Sequence, residues 1–293
     1  MLTLISRLFS DRRPAPRRQR RVQLSLESLE SRDCLTAPQI TSFAVTPLDG
    51  HLVLLSGQVT GNPPGGTVTF GGVVAGTTAL DASNNFSLAA YATNLGAVTA
   101  VYTNGPNITS DAAQATLTSD PPVITLSLTH GPNRTVNVSG RVTDEAPGNR
   151  TVYFSGAATG SAVTNAYGFF TATLQATALG SLQASVTDPW GLPGTATISI
   201  TNDPPVIVNF EASEQWGNLW NFSGQVLDES PGGLIVQFSG PNGIDGRTVT
   251  VAANGWFNLT VPVTQNGFTT VRVTDWWGAQ SLMAWSIVSI TPL

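Results

Sequence analysis

The chain has 293 residues, a formal charge of −5, two histidines and one cysteine. All thirteen basic residues are arginines, and eight of them fall in residues 1–36 beside four of the eighteen acids, which leaves five bases against fourteen acids for the rest. An acidic body of this kind excludes nucleic acid and anionic lipid as partners, the lone Cys34 excludes an intrachain disulfide, and no run approaches the ~20 apolar residues of a membrane-spanning helix.

Residues 1–36 form the first segment. Met1–Ser10 is mildly apolar but interrupted by Arg7, Arg12–Arg21 is a proline-arginine stretch, and Leu24-Ser25-Leu26-Glu27-Ser28-Leu29-Glu30-Ser31-Arg32 follows. A standard signal peptide places its basic residues before an apolar core, so this order does not match one. It resembles the arginine-rich Leu-Glu-x-Leu-Glu-x-Arg leader of many large exported proteins from bacteria with unusual cell envelopes. That resemblance implies a disordered basic sorting segment and an extracellular or cell-surface location. Ser31-Arg32-Asp33 are charged where a lipoprotein signal needs small apolar residues, so Cys34 is not expected to carry a lipid.

From residue 37 onward the chain repeats itself. Gly57, Gly140 and Gly224 each follow a serine and open a Gly-x-Val triplet at intervals of 83 and 84 residues, and Phe70, Phe154 and Phe238 close Val-x-Phe triplets 84 apart. A period near 84 predicts three copies of one domain, each with its own core, over residues 37–120, 121–203 and 204–293. In the first copy Phe86 and Leu88 mark strand E, and Ala100 and Tyr102 mark strand F. Asp120-Pro121-Pro122 then forms a stiff link, since two prolines favour extended geometry.

The second copy predicts seven strands. A and B cover Val123–Thr129 and Thr135–Thr143, with Val136, Val138 and Val142 alternating; C carries Val152 and Phe154. A short strand D is expected near Ala162–Thr164, E carries Phe170, Ala172 and Leu174, F carries Leu182, Ala184 and Val186, and G starts at Thr195. Alternation with period two, broken by Gly, Pro and Asn every ~8–12 residues, predicts an all-β sandwich. After Asp203-Pro204-Pro205 the third copy repeats the pattern with Phe257, Leu259, Val271 and Val273. The Ser-Gly-x-Val opening, the Asn-Gly-x-Phe element at Asn254–Phe257 and the Val-Thr-Asp-x-x-Gly close resemble bacterial immunoglobulin-like domains of surface adhesins. The resemblance implies three tandem seven-stranded immunoglobulin-like β-sandwiches.

Carboxylates gather at the expected junctions. Asp120, Asp144, Glu145 and Asp188 belong to the first, and Asp203, Asp228, Glu229 and Asp275 to the second. The matching positions of copy one are Thr60, Gly61 and Asn104, none of them acidic. Such oxygen density suits Ca²⁺, which takes six to eight ligands at ~2.3–2.6 Å; turn formation by Asp and Glu is the alternative. Six of the seven tryptophans lie in copy three. Trp276 is a candidate glycan or protein contact, with core or rim packing as the alternative, and Trp277 matches Trp190 of copy two, which points to packing in the F–G loop. His51 and His130 stand in A–B turns with no nucleophile or second metal ligand beside them, and no Gly-x-Ser-x-Gly elbow occurs, so an enzyme is not expected. The expectation is a monomeric, rod-like structural or adhesive surface module. The alternative is a module binding glycan or protein through its Trp-rich third domain.

Overall fold

Alternating Val, Phe, Leu and Thr residues between Gly-, Asn- and Pro-containing turns form strands with one buried and one wet face. The computed structural model describes residues 37–61, 65–241 and 243–290; the expected leader lies outside the described residues. The first seven strands are β1 (Gln39–Pro47), β2 (Leu52–Thr60), β3 (Thr67–Gly72), β4 (Gly76–Ala79), β5 (Asn85–Tyr91), β6 (Gly96–Thr103) and β7 (Ala113–Leu117). The next seven are β8 (Val123–His130), β9 (Thr135–Thr143), β10 (Thr151–Gly156), β11 (Gly160–Val163), β12 (Phe169–Gln175), β13 (Gly180–Thr187) and β14 (Pro193–Ile200). The last are β15 (Val206–Glu214), β16 (Leu219–Leu227), β17 (Ile235–Ser239), β18 (Thr248–Thr250), β19 (Trp256–Pro262), β20 (Gly267–Thr274) and β21 (Ala284–Val288).

Each set of seven makes two antiparallel sheets, one of three strands and one of four, in the orders β1-β2-β5 with β4-β3-β6-β7, β8-β9-β12 with β11-β10-β13-β14, and β15-β16-β19 with β18-β17-β20-β21. Three immunoglobulin-like sandwiches result, each with a separate core, around Val53, Phe70 and Phe86, around Val138, Phe154 and Phe170, and around Phe222, Phe238 and Phe257. One expectation needs correction. The short fourth strand of the second sandwich, β11, pairs with β10 from Thr151↔Val163 to Phe154↔Gly160. It therefore extends the sheet of strands C, F and G, where a strand D would join the sheet of A, B and E. β4 and β18 do the same.

The uneven repeat interval has a local cause. β1 and β15 carry a register shift after Thr41 and Val208, with Ser42 and Asn209 at positive φ, whereas β8 pairs with β9 without interruption. A bulge adds one residue to a strand, and the second copy lacks it.

The repeated Ser-Gly has a packing reason. Gly57, Gly140 and Gly224 sit opposite Phe86, Phe170 and Phe257 in their ladders. A Cβ on each glycine would stand 2.5, 2.5 and 2.6 Å from the Cζ of the facing phenylalanine. The glycine thus opens the space into which the strand-E ring folds, and all three rings are buried. Filling that space overpacks the core, at ~1–3 kcal/mol for well-packed sites. Gly224→Ala, where the facing ring is the nearest obstacle, should therefore lower the stability of the third sandwich by that amount in denaturant unfolding, and Gly224→Ala with Phe257→Leu should recover part of it. An unchanged midpoint for Gly224→Ala would contradict this packing.

Candidate functional site

The acids predicted at the junctions are brought together, and each set is tied to the linker entering its sandwich. At the first junction the Ser119 hydroxyl donates to Asp188 Oδ2 (3.1 Å) and Glu145 Oε2 (3.4 Å), and the Asp120 N–H donates to Glu145 Oε1 (3.1 Å). At the second, Asn202 Nδ2 donates to Asp275 Oδ2 (2.8 Å) and the Asp203 N–H to Glu229 Oε1 (2.7 Å). Asp188 and Asp275 are buried. Their other oxygens accept turn N–H groups, from Leu192 (2.7 Å) and from Trp277 and Ala279 (both 2.8 Å). Asp228 Oδ1 accepts the Ser230 N–H (2.8 Å). The Asp120 and Asp203 side chains are exposed.

One oxygen each of Asp144 and Asp228, at matching positions, is buried with no hydrogen-bond partner. Burial, aided by the hydrogen bond and charge of Glu145, pushes the Asp144 carboxyl up to about 6. Burial likewise raises Asp228, with Glu229 and Asp275 adding repulsion. Glu145 is itself desolvated, yet bonds from Asp144, the Asp120 N–H and Ser119 hold it below the ordinary carboxylate value. Among the described residues no group of three or more His, Cys, Asp or Glu side chains is set to hold a metal ion.

A second arrangement joins the sandwiches directly. The His51 ring, in the turn before β2, stacks on Trp190 of the second sandwich at 4.4 Å between centroids and 8° between planes, and its Nε2 lies 2.8 Å from the Pro189 carbonyl oxygen. At the next junction the Arg134 guanidinium, in the turn before β9, lies 5.2 Å over the Trp277 ring, and its Nε donates to the Trp276 carbonyl (2.8 Å). His51 and Arg134 each precede the motif glycine by six residues, and Trp190 and Trp277 each follow the buried aspartate by two. The two contacts are therefore one device built twice. Trp190 also packs against the core of the first sandwich and Trp277 against that of the second. Aromatic stacking and cation–π contacts are worth ~0.5–1.5 kcal/mol each beyond area burial. At the first junction Arg150 adds an ion pair with Asp49 (2.8 Å).

The match between Trp190 and Trp277 was readable in the sequence, but its partner residues were not, because a histidine and an arginine share no letter. Their common offset from the motif glycine was the available signal. His130 stands at the other end of its turn, closing β8, and lies beside Asp228, Glu229, Trp276 and Trp277. Trp276 turns inward: it packs against the third core and its Nε1 donates to the Ser230 carbonyl (3.0 Å). Trp216, in the turn before β16, is 88% exposed.

No protein-family model matches the chain, and no curated protein matches it. Several solved structures resemble it. The bacterial integrin-binding protein invasin is 13% identical with a TM-score of 0.34, over 86% of this chain and 60% of that one. The BSP domain of a biofilm-associated protein is 10% identical with a TM-score of 0.25, over 89% and 68%. The fibronectin(III)-like modules of Clostridium thermocellum CbhA are 17% identical with a TM-score of 0.23, over 57% and 93%. The chain thus spans 60% of the invasin structure. Among its described residues no helix is long and apolar enough to cross a membrane.

The buried acid yields a signed prediction. An unfolded aspartate titrates near ~3.9, below the folded Asp144 at about 6. The folded state therefore gains a proton, and stability, as the pH falls toward 4, and loses that gain as the pH rises through 6. Asp144→Asn should raise the melting temperature by a few degrees at pH 7.5 in EDTA, with the difference vanishing near pH 4. A loss of stability in the variant that occurs only with added Ca²⁺ would instead place an ion at this junction.

Proposed function

We propose that the chain is a non-enzymatic, exported bacterial surface protein whose three sandwiches act as a structural or adhesive module stiffened at its junctions. The observation that carries this reading is the paired clamp. At both junctions a nitrogen-bearing side chain from the turn before strand B covers a tryptophan of the next sandwich and bonds the same backbone carbonyl. The linker is fixed independently, through its own N–H and side-chain donors, by the acids of the sandwich it enters. A protein that must only fold three cores needs neither device; one that transmits position or force from end to end needs both. Export rests on the resemblance of roughly residues 10–36 to a sorting leader.

A second reading, in which the third sandwich binds a surface partner, is favoured by the aromatic residues on its outward sheet face. The stiffened-module reading is tested by ¹⁵N relaxation on the protein and on His51→Ala plus Arg134→Ala. The intact protein should show the three sandwiches reorienting with one shared anisotropic tensor, and the double variant should show three separable correlation times. Independent reorientation in the unaltered protein would overturn the proposal.

A further inference from the structure

The three sandwiches present the same outward sheet face, and only the third carries aromatic residues there on its sixth and seventh strands. On the sixth and seventh strands the outward cross-strand pairs are Ala97↔Thr116 and Thr99↔Gln114 in the first, and Ser181↔Ser199 and Gln183↔Thr197 in the second. In the third they are Phe268↔Ile287 and Thr270↔Trp285. The fold therefore does not require large apolar groups here, since two copies do without them. Phe268, Trp285 and Ile287 are 64%, 62% and 52% exposed, and exposed apolar patches of this kind mark binding surfaces. Phe268 meets Trp285 edge to face at 5.8 Å and 73°, so the two rings form one contiguous aromatic pair.

Polar side chains stand beside the aromatic pair. Thr270, directly across from Trp285, lines a depression of about 270 Å³ with Gln237, Ser239, Arg272 and Met283. Arg272 Nη1 donates to Gln280 Oε1 (3.4 Å), which steadies the guanidinium at that rim. Past Met283 the surface continues into an apolar trough of about 530 Å³ along Pro204, Pro205 and Leu282. Sites that combine a flat apolar platform with a few converging hydrogen-bonding groups select ligands offering both a C–H face and polar edges. A pyranose ring has that constitution: its axial C–H bonds lie on an indole, and its hydroxyls bond Gln, Thr and Arg.

Charge narrows the choice. No carboxylate stands on the outward positions of these four strands, and Arg272 is their single ionised group, while the chain beyond residue 36 holds fourteen acids and five bases. A polyanion is repelled by the surroundings and a polycation finds no counter-charge on the face. We propose that the outward face of β17, β20 and β21 binds a neutral oligosaccharide, with Trp285 as the stacking platform and Gln237, Thr270 and Arg272 as the hydrogen-bonding groups. This deepens the adhesive reading. It differs from a role for Trp276, whose N–H is already satisfied within the sandwich.

The test is a glycan array with neutral and acidic oligosaccharides, followed by calorimetry of any hit with the full chain, Trp285→Ala and Gln237→Ala. Both substituted residues are surface groups, so thermal melts should coincide with that of the unaltered protein. The expected result is binding of at least one neutral oligosaccharide, weakened tenfold or more in Trp285→Ala and several-fold in Gln237→Ala. No glycan bound, binding restricted to acidic glycans, or binding unchanged in Trp285→Ala would each overturn the proposal. So would retention of reduced, carboxymethylated α-lactalbumin with no glycan bound, which would assign the face to polypeptide. The clamps lie at the other junction surfaces, so failure here leaves the relaxation result on the stiffened module unaffected.

Discussion

The structure depends first on a cross-strand pair: a glycine on the second strand facing a phenylalanine on the fifth. Each sandwich has about 84 residues and no disulfide, so its core must close with few large side chains. Folding the Phe ring flat over a glycine lets one residue fill the space between two sheets, with ~1.5–3 kcal/mol available from its burial. Phe70, Phe154 and Phe238 on the third strands meet those rings from the opposite sheet, at 5.7, 6.0 and 6.2 Å. The Gly-x-Val and Val-x-Phe triplets recur because each core is closed by the same contact.

Once each core is closed on its own, the sandwiches are free to meet through their ends. The turn before the second strand of one sandwich faces the loops of the next. Those loops present a tryptophan just past a buried aspartate. The aspartate shapes the turn by accepting N–H groups with one oxygen, and holds the linker with the other. Linker and turn are thus joined through that aspartate, while a neighbouring glutamate, Glu145 or Glu229, accepts the linker N–H. The first sandwich has Asn104 at that position and Pro106 where the tryptophan would stand. Its corresponding end receives no preceding sandwich among the described residues, so the acids and tryptophans are found where there is a linker to hold.

Much of the fold was legible in the sequence because period-two alternation and a fixed repeat carry both strand and copy number. Val136, Val138, Val142, Leu182, Ala184 and Val186 all face inward as their alternation requires. The sheet assignment of the fourth strand was not legible, since four residues such as Gly160–Val163 pair equally well by pattern with either neighbour. The co-location of the acids could be read from loop positions, but their hydrogen-bonding duty could not. Spacing does not reveal whether an oxygen faces a cation or an N–H. Trp276 and Trp277 are adjacent letters with different surroundings, one against its own core and the other against the preceding one. Only the geometry of the turn after Asp275 separates them.

The central claim is that the clamps couple neighbouring sandwiches, and a double-mutant cycle measures it most directly. His51→Ala, Trp190→Ala and the double variant are compared by denaturant unfolding of the first two sandwiches, with Arg134 and Trp277 as the parallel cycle. Coupling of ~0.5–1.5 kcal/mol in both cycles is predicted for contacting pairs of this kind. Strict additivity in both would contradict the account and leave the sandwiches joined by their linkers alone.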